Sequence, residues 1–218
     1  MNLPESFPPL SSSARDVCCF SCGADNHVPV DAVTLHCTRC SKPIDLSDYS
    51  IDGMSNRKIQ TYGEVTIGIR GKYAGSKLKA GRLIVLGALE AQFECDELVV
   101  GKFALVTSEG TARALYVLTG GKVKLPGTFR LAEAHIYGEL EVEALKAEGI
   151  LAVYKGGSLV SDIEASSVKV ERGAYFEGNI VVIPPPKPEI PVEAPPAAEL
   201  PADEEKIVPA EETLSGQA

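Results

Sequence analysis

The chain has 218 residues, 44% of them hydrophobic, which is enough for one ordinary core plus an appendage and too little for two full-sized domains. Its formal charge is −9, but Pro184 to Ala218 supply −6 of that, and residues 61–183 are nearly neutral with 15 acidic and 14 basic side chains. That balance gives no broad positive field for nucleic acid or anionic lipid, and no apolar run reaches the roughly 18 residues that a membrane span needs.

Residues 1–16 read as a disordered Pro/Ser-rich tail, and Met1 to Leu10 carry neither the positive charge nor the apolar run of a secretory signal. Six cysteines without an export signal imply a reducing compartment, so the expected location is cytoplasmic, with the inner face of the cell membrane as a site of action. Residues 17–50 carry the cysteine pattern. Cys19-Phe20-Ser21-Cys22-Gly23 and Cys37-Thr38-Arg39-Cys40 contain two CxxC knuckles, with positions 23–36 lying between them. Two intervening residues let a tight turn aim both thiolates at one point, and two such turns complete a tetrahedral sulfur site, so Cys19, Cys22, Cys37 and Cys40 are the expected ligands of a structural zinc. The spacing leaves alternatives open: Cys18 in place of Cys19, or His27 or His36 in place of a cysteine. The second knuckle is followed by Ser41 where the first has Gly23. So short a segment cannot build a sufficient core, and the metal is expected to fold it.

Residues 51–60 read as a linker, and residues 61–183 as a repeat. Apolar residues alternate in short pairs, among them Val65/Ile67, Leu83/Val85, Leu98/Val100, Leu115/Val117, Leu140/Val142 and Ile180/Val182, which is the strand period. Glycines recur at positions 71, 87, 101, 121, 138, 157 and 173. A rhythm of that length is too short for a propeller blade or a helical hairpin and suits one turn of a solenoid with three short strands per turn. The only stretch with any helical pattern is Ala132 to Leu145, and Gly138 interrupts it. After Ile183 the chain turns to Pro-Pro-Pro and Pro/Glu text, a composition that reads as a disordered tail over 184–218.

Reactive constellations are scarce. Neither a P-loop nor a Gly-x-Ser-x-Gly elbow occurs. His135, flanked by Ala134 and Ile136, reads as an outward surface histidine, and Cys95 as a small buried rung residue. Glu139, Glu141 and Glu143 alternate with Leu140 and Val142, placing three carboxylates in a row. Such a row is compatible with calcium or glycoside chemistry, but a solvated strand face accounts for it, and the chain is not expected to be an enzyme.

The stretch Ile59-Gln60-Thr61-Tyr62-Gly63-Glu64-Val65-Thr66-Ile67, the glycine-spaced turns and Gly173-Ala174-Tyr175-Phe176-Glu177-Gly178 together resemble the bactofilins, bacterial polymer-forming cytoskeletal proteins. The resemblance runs from Ile59 to Gly178. It implies an all-β, right-handed parallel β-helix, nucleotide-independent assembly into filaments, and a scaffold role that positions cell-envelope enzymes or polar proteins, reached through the tails. It also implies a polymer contact at Phe176, a residue that equally suits a plug of the coil end, and Val65, Ile67 and Ile180 are the further expected interface positions. The N-terminal membrane anchor of some members is not visible, so no direct membrane insertion is expected. The alternative is a zinc-ribbon regulator or nucleic-acid binder, which the charge between Cys18 and Leu46 disfavours: Arg39 and Lys42 stand against Asp25, Asp31 and Asp45.

Overall fold

The structure, a computed structural model, describes residues 15–29 and 32–183. The expected tails at 1–14 and 184–218 lie outside the described residues, whereas Arg15 and Asp16 already belong to a strand. Every regular element is a strand; no helix occurs among the described residues. Two antiparallel hairpins come first: β1 (Arg15–Cys18) with β2 (Asp25–Val28), and β3 (Thr34–His36) with β4 (Pro43–Asp45).

The rest is a parallel coil with three faces. On face A, eight rungs pair in sequence: Tyr49↔Val65, Val65↔Leu83, Leu83↔Leu98, Leu98↔Leu115, Leu115↔Ala134, Ala134↔Leu151 and Leu151↔Val168. Face B runs from Met54–Ser55 through Lys72–Tyr73, Ala88–Leu89 and Leu105–Val106 to Tyr175–Glu177. Face C runs from the Gln60–Lys79 bridge to Ile180–Val182. The coil thus begins at Tyr49, and the expected linker at 51–60 supplies part of its first turn, because Tyr49–Ile51 and Met54–Ser55 find ladder partners one turn later. Within residues 132–145 the chain is strand over Glu133–Ile136 and from Glu139 onward. Gly138 sits where backbones cross too closely for a side chain, so the chain turns a corner there instead of continuing a helix.

Alternation sends one side chain of each pair inward. Val65, Ile67, Leu83, Val85, Leu98, Val100, Leu115 and Val117 are all fully buried and stack rung on rung, as do Tyr73, Leu89 and Val106 on face B. The corner between faces A and B is a column of small residues. At Gly71, Gly87, Gly121, Gly138 and Gly157 an added Cβ would lie 2.1 to 2.8 Å from a carbonyl oxygen of a neighbouring turn. Ala104 and Ala174 take that place in the two turns where Gly101 and Gly173 stand elsewhere in the corner. The register shifts between Leu125 and Thr128, where Pro126 and the left-handed Gly127 (φ 73°) form a bulge, and again between Glu141 and Ala144 and between Ala147 and Ile150.

Candidate metal centre and coil ends

The two CxxC segments are the tight ends of the two hairpins. In each, the fifth residue folds back onto the first cysteine: Gly23 N–H donates to Cys19 O (2.9 Å) and Ser41 N–H to Cys37 O (2.9 Å). Gly23 adopts φ 67° and Ser41 φ 57°, so the serine takes the conformation that glycine takes in the first knuckle. The turns bring together the sulfurs of Cys19, Cys22, Cys37 and Cys40, all within 4.8 Å of one another. Cys19 and Cys40 are separated by 3.7 Å and Cys22 and Cys37 by 3.6 Å. These match the edge of about 3.8 Å of a tetrahedron with metal–sulfur bonds near 2.3 Å. The donor set therefore fits one tetrahedral metal ion.

Amides and one buried side chain shape the site electrostatically. The Cys40 amide, followed by that of Arg39, draws the Cys37 thiol down to about 6, and the Ser21 and Cys22 amides lower Cys19. The Ala24 amide favours the Cys22 thiolate, but burial and the neighbouring sulfurs outweigh it and push Cys22 up to about 12. Four thiolates this close repel one another, and a divalent cation at their centre would supply the missing countercharge. Asn26, buried between the knuckles, donates to Cys37 Sγ (3.7 Å) and Ala24 O (2.7 Å) and accepts from Thr38 N–H (2.9 Å). Sequence reasoning missed it, although Asn26 shares the alternation phase of the buried Val28. Cys18 lies outside the cluster, its thiol donating to Asp25 Oδ1 at 2.8 Å, and His27 pairs with Asp16 (3.0 Å).

The ribbon packs on the side of the coil. Phe20, inside the first knuckle, stacks on Tyr62 with centroids 4.4 Å apart, and the Lys79 ammonium lies 5.4 Å from the Phe20 centroid. Tyr62 Oη donates to Cys18 O, and burial raises the Tyr62 hydroxyl to about 12.

The expected coil-end residues separate into two groups. Val65 and Ile67 are fully buried, because the first turn at Tyr49–Ile51 covers them; they are second-rung residues and form no part of an exposed end. Phe176 and Ile180 do lie in the last turn. Phe176 is half-buried above Leu159, and Ile180 is 42% exposed above Ile163. Around them Val170, Val181, Val182 and Ile183 are also exposed, and no strand among the described residues pairs with the outer edge of this turn.

The remaining reactive residues are engaged structurally. Cys95 is buried on face C, and burial holds its thiol far above the ordinary range. His135 faces outward, but its ring is half-buried between Tyr116 (5.0 Å) and Tyr154 (5.9 Å), with Nδ1 3.0 Å from Tyr154 Oη. Glu139 and Glu141 pair with Lys122 (2.8 Å) and Lys124 (2.7 Å) of the preceding turn. No described helix is long and apolar enough to cross a membrane. Compared with protein-family models, curated proteins and solved structures, the chain matches none.

Proposed function

We propose that this chain is a structural scaffold that assembles end to end without nucleotide, in the manner of the bactofilins it resembles, with zinc as a structural cofactor in its four-cysteine ribbon. The observation that carries the proposal is the last turn of the coil. A parallel coil buries each rung only against its neighbours, so a terminal rung has unpaired amides and carbonyls and an apolar cross-section. Here that cross-section contains Val170, Phe176, Ile180 and Val182, the three aliphatic ones 45%, 42% and 61% exposed in the order Val170, Ile180, Val182. A second copy would complete both the ladders and the packing. The other end presents the edges of Tyr49–Ile51 and Met54–Ser55, unpaired among the described residues, in place of the expected Val65 and Ile67. The role is not catalytic, and positioning of cell-envelope or polar partners in the cytoplasm is the function that such a scaffold would serve.

Negative-stain electron microscopy of the nucleotide-free protein, beside a sedimentation run, tests this. Thin filaments or end-paired species are expected, and Phe176→Arg should abolish them with unchanged far-UV circular dichroism. A strict monomer at every concentration would overturn the reading.

A further inference from the structure

The corner that follows face A comes in two lengths. In turns one, three and six it is a two-residue step, Asp52-Gly53, Leu86-Gly87 and Tyr137-Gly138. In the other turns a two-residue tip is added: Ile69-Arg70, Lys102-Phe103, Thr119-Gly120, Lys155-Gly156 and Arg172-Gly173. The second tip residue is left-handed at Gly120 (φ 82°), Gly156 (φ 84°) and Gly173 (φ 89°), and Phe103 stands in the same slot at φ 68°. A bulky side chain in that conformation is strained, and here the fold gains little from it: the ring is 72% exposed and is met by the ammonium of its own neighbour Lys102, 4.9 Å from the centroid. Ile69, at the tip two rungs earlier and hence about 10 Å away along the coil, is 73% exposed, and Leu105 beside Phe103 is 44% exposed.

The charges along this ridge are unbalanced. Arg70, Lys102, Lys155 and Arg172 all stand at the tips, whereas the carboxylates of the same corner are Asp52 and Glu171, the latter paired with Lys169 (3.1 Å). Elsewhere the outer lysines are matched across rungs, as in Lys72–Glu90, Lys122–Glu139, Lys124–Glu141 and Lys146–Glu164. Just behind the tips Tyr137 and Tyr154 stack at 4.1 Å, and Lys169 lies 5.6 Å from the Tyr154 centroid. Apolar tips, tyrosines one layer back and cations alongside are the pattern of a protein surface that enters a lipid headgroup layer. A convex ridge inserts and does not receive, and a second copy laid on it would oppose Arg70 and Lys102 with like charges.

We propose that this ridge is a contact for an anionic bilayer surface, with the Phe103 and Ile69 tips among the headgroups and Arg70, Lys102, Lys155 and Arg172 on lipid phosphates. The contact is interfacial and needs no spanning segment, and it modifies the expectation, drawn from the N-terminal residues, of no direct membrane insertion. It does not depend on end-to-end assembly, although an assembled array would multiply a weak contact.

The test is flotation of the full chain with phosphatidylcholine vesicles that contain or lack phosphatidylglycerol. Binding is expected only with phosphatidylglycerol and is expected to weaken with salt. Phe103→Gly should weaken it about tenfold while leaving the thermal midpoint equal or higher, since glycine suits the slot. Lys102→Glu with Arg70→Glu should abolish it at unchanged midpoint. Three results would overturn the proposal: no binding by the parent, undiminished binding by Phe103→Gly, or a lowered midpoint in Phe103→Gly, which would assign the ring to the fold. Lipid-free lateral association lost in Phe103→Gly would also overturn it, in favour of a second copy.

Discussion

Gly110 faces the core of the coil where its ladder partner one turn earlier, Phe93, carries a large side chain. A Cβ on it would lie 2.4 Å from the Phe93 ring, and Phe93 and Phe129, with centroids 6.3 Å apart, fill the space that it leaves. Gly110→Ala is therefore expected to cost about 1 to 3 kcal/mol in chemical denaturation, as overpacked cores do, and Phe93→Leu in the same chain should recover part of it. At the four-cysteine cluster, Asn26→Ala removes the donor to Cys37 Sγ and the acceptor for Thr38 N–H. Metal affinity measured against a chromophoric chelator should fall about 10- to 100-fold, the usual effect of losing a group that orients a ligand. The cysteines were legible because only convergent thiolates need that spacing. Asn26 was less so: its partners are a carbonyl, an amide and a sulfur that only folding brings near. Val65 and Ile67 were misplaced for a related reason. Whether a rung is terminal depends on what pairs with it one turn earlier, and Tyr49-Ser50-Ile51 is too short to declare a strand by its pattern.

Among the elements, ribbon and coil have separate cores. The ribbon's own buried apolar residues are Val17, Cys19, Val28, Cys37, Ile44 and Leu46, two of which belong to the four-cysteine cluster. Zinc is expected at one equivalent per chain and to be lost in Cys37→Ala, and a chelator should abolish amide protection over 15–46 while the coil keeps its own. Full zinc in the variant would refute the ligand assignment. The long strands were visible in the sequence as alternation, whereas the two-residue strands Lys72–Tyr73, Ala88–Leu89 and Leu105–Val106 are too short to show a period. The glycine rhythm was half informative. Gly71, Gly87, Gly121, Gly138 and Gly157 form the corner column because backbones approach there, but Gly101 and Gly173 belong to other corner positions.

For the molecule as a whole, stability in a stacked coil is built from neighbouring rungs, so it should be graded along the axis. Hydrogen exchange is expected to be slowest at Leu98–Val100 and Leu115–Val117, which lie between complete turns, and fastest at Ile180–Val182, all three of which are exposed. If ends meet, protection at Ile180–Val182 should rise with protein concentration, and a concentration-independent profile would count against assembly through that turn. The corner after face A carries a further consequence. The stretch of chain between ladder partners on face A varies from turn to turn, shortest from Leu83 to Leu98 and longest from Leu115 to Ala134. The inward stacks nevertheless keep step, because the short and long corners absorb part of the difference and the bulge at Pro126 takes up more. The tips are thus removable parts. A Lys-Gly pair added at Leu86-Gly87 or Tyr137-Gly138, or taken out at Lys155-Gly156, changes the surface without asking the core to be solved again, which makes this corner the natural grafting position for new recognition chemistry.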